Sequence, residues 1–154
     1  MKTCRNFYET PWYIGDEVSL RQRYFFSCDE TIDGVSSVWY DIYTNNPRRK
    51  VGQIDLRLTM NENMFYYGHV GYHIQERYRG NHYALKACKL LFIIAKETFL
   101  MDELILTCNP DNYASRKTII KAGAKYEGIV KVPFDHELNY RDGETQKCIY
   151  RIIL

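Results

Sequence analysis

The first half of the chain alternates apolar and polar residues with the two-residue period of β-strands. Four such stretches occur, and residues typical of turns separate each from the next. In the third stretch Ile54 and Leu56 alternate with the polar Asp55, which indicates a strand with one apolar and one polar face. Residues 1–15 are polar and aromatic, and we expect them to lie loosely across the body. The predicted strands span residues 17–28, 35–43, 51–58 and 65–74.

In the second half, helical patterns alternate with shorter apolar stretches. Residues 81–99 carry an apolar stripe at helical spacing, and residues 113–122 form a shorter helical pattern between capping residues. The strand–helix–strand unit at 65–108 implies a parallel strand pair, whereas the preceding meander implies antiparallel pairing. We therefore predict one domain over residues 1–154, with an α+β fold built on a mixed, mainly antiparallel sheet with flanking helices. Further strands are predicted at 102–107, 124–132 and 148–153, with a loop or hairpin tip over 133–145.

Composition and charge narrow the function classes. The 154 residues are 45% hydrophobic and 26% charged, which argues against disorder, and the formal net charge of +2 gives no bulk attraction to nucleic acid. The 14 tyrosines fit half-buried strands. No apolar run approaches the ~20 residues that span a bilayer, and no secretion signal opens the chain. We predict a cytoplasmic protein without a membrane or nucleic-acid partner.

Metal-ligand patterns are weak. The five cysteines are scattered and form no C-x-x-C pair. His69 and His73 face the same side of a predicted strand, but at ~3.3 Å per residue they lie about 13 Å apart, too far to share one ion. We therefore predict no metal site.

An anion site is predicted where the fourth strand meets the long helix. A basic turn, residues 75–80, contains Arg77, Arg79 and Gly80 and leads into a helical pattern at Asn81. Unpaired backbone N–H groups and the helix dipole favour negative charge at such a helix N-terminus, and the two arginines add countercharge. This turn is suited to a phosphate group.

Two motifs in this context resemble those of the GNAT (Gcn5-related N-acetyltransferase) superfamily. The family's Gln/Arg-x-x-Gly-x-Gly/Ala turn is matched by residues 77–82, Arg-Tyr-Arg-Gly-Asn-His. Its second motif, Asn-x-x-Ser followed by Lys-x-Gly-Ala/Phe, is matched by Asn112 to Ser115 and by residues 121–124. The sequence Gly-x-Ile-Asp-Leu-Arg at 52–57 also resembles an uncharacterised branch of predicted acetyltransferases. The resemblance covers roughly residues 17–153 and implies the acyl-CoA N-acyltransferase-like fold.

The resemblance implies that acetyl-CoA is the co-substrate and acetyl donor. Its pantetheine arm would pair with the backbone of the fourth strand, and its pyrophosphate would lie on the amides of the turn and the first helical residues. The backbone N–H groups of the same strand could stabilise a tetrahedral oxyanion. The implied cofactor-binding residues are Tyr72, His73, Ile74, Arg77, Arg79, Gly80, Asn81, His82, Tyr83, Ala84, Asn112 and Ser115.

The chain departs from the family pattern at three points. His82 stands where the family usually has Gly or Ala. Only a short turn separates the first two strands, so the family's two helices there are missing or reduced. The tyrosine that often serves as general acid aligns with Ile119, which has no acidic proton. The acceptor wall and the acid are therefore the parts that the motifs do not specify.

Transfer of an acetyl group to an amine requires a base and benefits from an acid at the leaving thiolate. Our candidate base is His69, whose ordinary pKa near 6.5 suits the task and which precedes the cofactor-contacting backbone on its strand. Asp55 is a weaker candidate. For the acid, Tyr113 or Ser115 could replace the missing tyrosine, or solvent could supply the proton. The predicted catalytic residues are thus His69, Tyr113 and Ser115.

The predicted function is direct transfer of acetyl from acetyl-CoA to a primary amine of an unidentified small molecule or peptide. Two alternatives stay open, a non-catalytic coenzyme A-binding module and a protein N-terminal or lysine acetyltransferase. A dinucleotide-dependent oxidoreductase is excluded, because the turn has one glycine instead of G-x-G-x-x-G and four strands precede it. A homodimer through strand edges near the C-terminus is also left open.

Overall fold

The computed structural model describes residues 11–154, over which the chain forms eight strands and four α-helices. The α+β prediction is confirmed. The strands are β1 (Trp12–Ile14), β2 (Val18–Phe26), β3 (Ser37–Asn45), β4 (Arg48–Arg57), β5 (Val70–Ile74), β6 (Glu103–Cys108), β7 (Lys125–Lys131) and β8 (Gln146–Ile153). The helices are α1 (Met64–Tyr67), α2 (Tyr83–Glu97), α3 (Tyr113–Lys121) and α4 (Glu137–Tyr140).

The predicted meander forms a five-stranded antiparallel sheet in the order β1-β2-β3-β4-β5. Tyr40, Ile54 and Leu56 belong to its apolar face, which packs with α2 residues such as Leu91 in one buried core. The opposite face carries the alternate residues, among them Asp55. The polar and apolar faces of this sheet are therefore those that the alternation predicts.

The predicted parallel pair is wrong. β6 pairs with β8, and β8 with β7, in a separate three-stranded antiparallel sheet of order β6-β8-β7. β5 and β6 touch where the backbone N–H of His69 donates to the carbonyl of Ile105, at 2.7 Å. Beyond that contact the strands separate and line a common cavity. The crossover through α2 thus brings the two strands side by side without a continuous ladder.

Smaller differences lie at chain segments with little periodicity. The region expected to be loose includes the three-residue strand β1, and its residues 1–10 lie outside the described part. The predicted strand 65–74 begins instead with the single helical turn of α1. The predicted loop 133–145 contains the equally short α4. Short elements of this kind depend on tertiary contacts more than on local pattern.

The connection between β2 and β3 contains one 3-10 turn, Cys28–Glu30, so the reduction of the helices expected there is confirmed within the described residues. Cys88 and Cys108 are buried and form no disulfide. Within residues 11–154, each helix is too short or too polar to cross a bilayer.

Candidate functional site

A cavity of about 660 Å³ opens where β5 and β6 separate. Its walls come from the free edge of β5, the turn before α2, and the N-terminal half of α3. Because β5 is the last strand of its sheet, one row of its backbone groups faces this opening. The residues around it that sequence analysis selected are Tyr72, His73, Ile74, Arg79, Gly80, His82, Tyr83, Ala84, Asn112 and Ser115.

Arg77, Asn81 and Tyr113 lie outside this wall, as do the two base candidates, His69 and Asp55, which are described below. Arg77 stacks its guanidinium 4.8 Å above the ring of Tyr78, and the Asn81 side chain donates to the Tyr78 carbonyl at 3.0 Å. Tyr113 is 67% exposed at the start of α3. These positions leave Arg77 near the turn but not in the cavity, and they give no support to Tyr113 as the general acid.

The turn before α2 is shaped by two residues with positive φ. Gly80 has φ +86°, and open space surrounds the position where a Cβ would point. His82 precedes the helix with φ 60° and ψ 24°, the left-handed region. Histidine is one of the few non-glycine residues enriched there. This conformation explains why a small residue is usual at position 82 and how His82 can still occupy it.

Arg79 is the arginine that belongs to the cavity wall. Its Nε donates to the carbonyl of Ile74 at 3.0 Å, which ties the turn back to the end of β5. The first helical residues, Tyr83 and Ala84, follow at the same edge of the cavity. Unpaired N–H groups of the first helical turn therefore lie near one guanidinium, an arrangement that suits a phosphate.

Tyr72 and Ser115 bring two hydroxyl groups together in the cavity. Their oxygens lie 2.6 Å apart, and Asn112 caps α3 by accepting the Ser115 backbone N–H at 3.1 Å. Burial raises the pKa of Tyr72 to about 12, so the phenol keeps its proton at neutral pH. Sequence analysis assigned Tyr72 only a backbone role and missed its hydroxyl group. The alternation of β5 shows which face it occupies, but its partner lies 43 residues away.

Ile119 is 1% exposed and packs in the core, so the family's tyrosine position offers no proton donor here. The Tyr72 hydroxyl approaches the same helix from β5 and contacts Ser115. Tyr72, Ser115 and Thr118 all contribute hydroxyl groups to the cavity wall beside α3.

His69, the predicted base, lies at the point where β5 and β6 touch. Its Nδ1 accepts the backbone N–H of Ile105 at 2.9 Å, and the residue is 2% exposed. Burial lowers the pKa of His69 to about 4. The neutral ring therefore carries its proton on Nε2 and has already used its basic nitrogen. This geometry supports a structural link between the sheets and not the predicted role of general base.

Asp55, the weaker candidate, lines a second cavity of about 290 Å³ with aromatic walls. The residue is 6% exposed, and burial raises the pKa of its carboxyl to about 6, with Arg57 opposing and Asp33 reinforcing the shift. A base with such a pKa is largely ionised at neutral pH and can accept a proton. Across the described residues, no group of three or more acidic, histidine or cysteine side chains forms a metal-binding cluster.

The family assignment comes from comparison with known proteins. The model of the acetyltransferase (GNAT) domain family matches residues 4–125. No curated protein matches the chain significantly.

Solved structures share the fold at low sequence identity. A putative ribosomal-protein-serine acetyltransferase from Vibrio cholerae is 16% identical, with a TM-score of 0.66 over 93% of this chain and 97% of that one. The ribosomal-protein-S5-alanine acetyltransferase from Vibrio fischeri is 12% identical, with a TM-score of 0.65 over 93% and 96%. RimL, a ribosomal L7/L12 alpha-N-protein acetyltransferase in complex with coenzyme A, is 14% identical, with a TM-score of 0.67 over 94% and 98%. From the family match and the shared fold we conclude that the chain belongs to the GNAT acetyltransferase family.

Proposed function

We propose that the protein transfers the acetyl group of acetyl-CoA to a primary amine, and that the cavity between β5 and β6 binds the donor. The observation that carries the proposal is the convergence of three elements on one cavity: a free strand edge, a helix N-terminus with Arg79, and the Tyr72–Ser115 hydroxyl pair. The first suits the amides of the pantetheine arm, the second suits the pyrophosphate, and the third suits the thioester end.

The fit to the donor rests on the open turn. Gly80 leaves its Cβ direction empty, so a phosphate could approach the backbone closely there. Two similar structures, the microcin C7 self-immunity acetyltransferase MccE and RimL, are complexes with acetyl-CoA and with coenzyme A, respectively. These relatives support the assignment of the same donor to this chain.

In the proposed reaction the neutral amine attacks the thioester carbonyl, a C–N bond forms, and the C–S bond breaks. The amine loses one proton, and the departing thiolate gains one. Because a thiol has a pKa of ~8.5 and that of Tyr72 is about 12, complete transfer from the phenol is uphill. We therefore assign Tyr72 the role of a hydrogen-bond donor to the sulfur as negative charge develops, while solvent delivers the final proton.

The proposal also covers the chemical class of the acceptor amine. Three relatives are named as acetyltransferases of ribosomal proteins, and one of these names specifies an α-amino group. These names support a peptide or protein amine as acceptor over a free polyamine.

The test is an acetylation assay with purified protein, acetyl-CoA and three amines: a polyamine, a peptide with a free amino terminus, and an amino-blocked peptide with one lysine. Release of thiol and a mass gain of one acetyl group on an amine are expected. Binding of coenzyme A by calorimetry without acetylation of any amine would favour the non-catalytic coenzyme A-binding module instead.

A further inference from the structure

The second cavity combines aromatic walls with a surplus of negative charge. Phe26, Trp39 and Tyr67 line it together with Asp33 and Asp55. Its volume of about 290 Å³ suits a group of the size of one residue. Aromatic faces beside carboxylates attract cations, because both the ring quadrupole and the acidic charge are favourable to positive charge.

Arg57 is the cation of this cavity, but other groups already hold it. Its Nε donates to Asp33, its Nη1 donates to the carbonyl of Gly68 at 3.2 Å, and its guanidinium lies 5.6 Å from the ring of Tyr67. Asp55 Oδ2 lies 3.3 Å from the same Nη1, yet it has no hydrogen-bond partner among the described residues. Two carboxylates therefore share one guanidinium, and the buried Oδ2 can still accept a hydrogen bond.

The second cavity adjoins the donor cavity across β5. Asp55 pairs in register with Gly71, and a Cβ on Gly71 would lie 2.6 Å from Asp55 Oδ1. Glycine at this position thus lets the carboxylate lie against the strand. Gly71 also lines the donor cavity, and Tyr67 lines both. An amine held by Asp55 would therefore be next to the strand on which the thioester is proposed to lie.

We propose that the second cavity is the acceptor site, and that it takes the α-ammonium group of a peptide amino terminus with Asp55 as its anchor and proton acceptor. The aromatic side chains of Trp39 and Phe26 would contact the first side chain of the peptide. This inference rests on the proposed acetyltransferase function.

The pKa of Asp55 favours an α-amine over a lysine amine as the acceptor. Arg57, Asp33, Glu30 and Tyr67 line the cavity together with Asp55. Burial raises the pKa of Asp55 to about 6, and Arg57 opposes the shift while Asp33 reinforces it. An α-ammonium has a pKa of ~8 and a lysine ammonium ~10.4. Proton transfer to Asp55 is therefore unfavourable by about 10²-fold for the first and by more than about 10⁴-fold for the second.

The experiment uses alaninamide as the α-amine probe and Nα-acetyl-lysinamide as the matched ε-amine, with the full-length protein saturated with coenzyme A for binding and with acetyl-CoA for turnover. Alaninamide should shift the NMR signal of the Trp39 indole N–H and should be acetylated with the higher kcat/KM. In Asp55→Asn, alaninamide binding should weaken about tenfold and kcat/KM at pH 7 should fall about 100-fold. The rise of kcat/KM with pH near 6 should disappear.

Calorimetric binding of acetyl-CoA should be unchanged in Asp55→Asn, which separates this inference from the proposed function. Trp39→Leu provides a second variant, with weaker alaninamide binding and unchanged acetyl-CoA binding expected. The inference is overturned if alaninamide leaves the Trp39 signal in place, if the lysine probe is preferred, or if Asp55→Asn keeps the wild-type pH profile. If neither amine is acetylated although acetyl-CoA binds, it is the proposed function that fails.

Discussion

The two cavities meet at β5 but are built from different parts of the chain. The donor cavity uses backbone and neutral hydroxyl groups: a strand edge, a helix N-terminus and the Tyr72–Ser115 pair. The second cavity uses charged and aromatic side chains, with Asp55 and Arg57 at its centre. Under the proposed assignments, the donor would be bound by main-chain geometry that many sequences can adopt, and the acceptor would be recognised by individual side chains.

The same contrast separates two buried titratable groups, His69 and Asp55. Burial lowers the pKa of the first to about 4 and raises that of the second to about 6. Folded-state stability therefore rises with pH through the histidine and falls with pH through the aspartate, between about pH 4 and 6. His69 has a hydrogen bond that uses its neutral form, whereas Asp55 Oδ2 has none. His69 thus has a hydrogen-bond partner in the fold, whereas Asp55 keeps a buried acceptor without one among the described residues.

The largest expected effect is on the donor cavity. Gly80→Asp should lower acetyl-CoA affinity about 10³-fold, because it places an anion and a Cβ at φ +86° beside the proposed phosphate site. Gly80→Asn is the matched control, since asparagine tolerates the left-handed conformation and adds no charge, and a change below about fivefold is expected. Calorimetry measures the acetyl-CoA affinity of both variants. Equal affinities would show that the phosphate does not bind at this turn.

The second prediction concerns the link between the sheets. His69→Ala should destabilise the fold by about 3 kcal/mol, because it leaves the buried N–H of Ile105 without its acceptor and creates a cavity. Urea unfolding of His69→Ala and of the exposed-strand control His73→Ala measures the difference. The pH dependence of turnover should survive in folded His69→Ala. If the acid limb of the pH–rate profile were lost selectively in this variant, His69 would instead be the general base.

The third prediction tests the contrast between the two titratable groups. Asp55→Asn should stabilise the protein at pH 7 by about 2 kcal/mol, because the raised pKa means that folding opposes ionisation of this carboxyl. The gain should vanish near pH 4, where the carboxyl is protonated in the folded state and increasingly so in the unfolded state. Thermal unfolding across this pH range measures it. A stability loss at pH 7 would show that the ion contact with Arg57 outweighs burial.

The smallest effect is expected at the leaving group. Tyr72→Phe should lower kcat about tenfold with little change in acetyl-CoA affinity, because a hydrogen bond to developing negative charge is lost while the ring still packs. Tyr126→Phe, on an exposed part of β7, is the control. Steady-state kinetics with the best amine would measure both. An unchanged kcat would mean that Ser115 or solvent, and not Tyr72, stabilises the negative charge that develops on the sulfur.

Local pattern was sufficient to predict the elements that surround the first cavity. The turn with Gly80, the cap at Asn112 and the strand that leads to them are short-range features, and their types could be predicted. The hydroxyl of Tyr72 was missed because Ser115 meets it only in the folded chain. The separation of β5 from β6 was also missed, since a crossover predicts neighbouring strands but not the distance between them.

The charges around Asp55 were beyond sequence analysis for a different reason. Alternation correctly placed Asp55 on the polar face of β4, where most side chains are solvated. Its burial comes from Trp39, Tyr67 and the Asp33–Arg57 pair, which arrive from separate elements. Conversely, His69 looked like an accessible strand residue, although Ile105 uses its basic nitrogen. Accessibility of a titratable group is a property of the assembled fold.

The recessed edge of β5 has a consequence for solubility. An unpaired strand edge is a template onto which another polypeptide can add, and such edges promote aggregation. Here α3, the turn before α2 and β6 surround that edge, so it opens into a cavity and not onto a flat surface. A narrow, flexible molecule such as the proposed pantetheine arm fits this opening, whereas the edge of another sheet would meet the surrounding elements first. The fold thereby keeps one sheet edge open for chemistry without leaving it open to association.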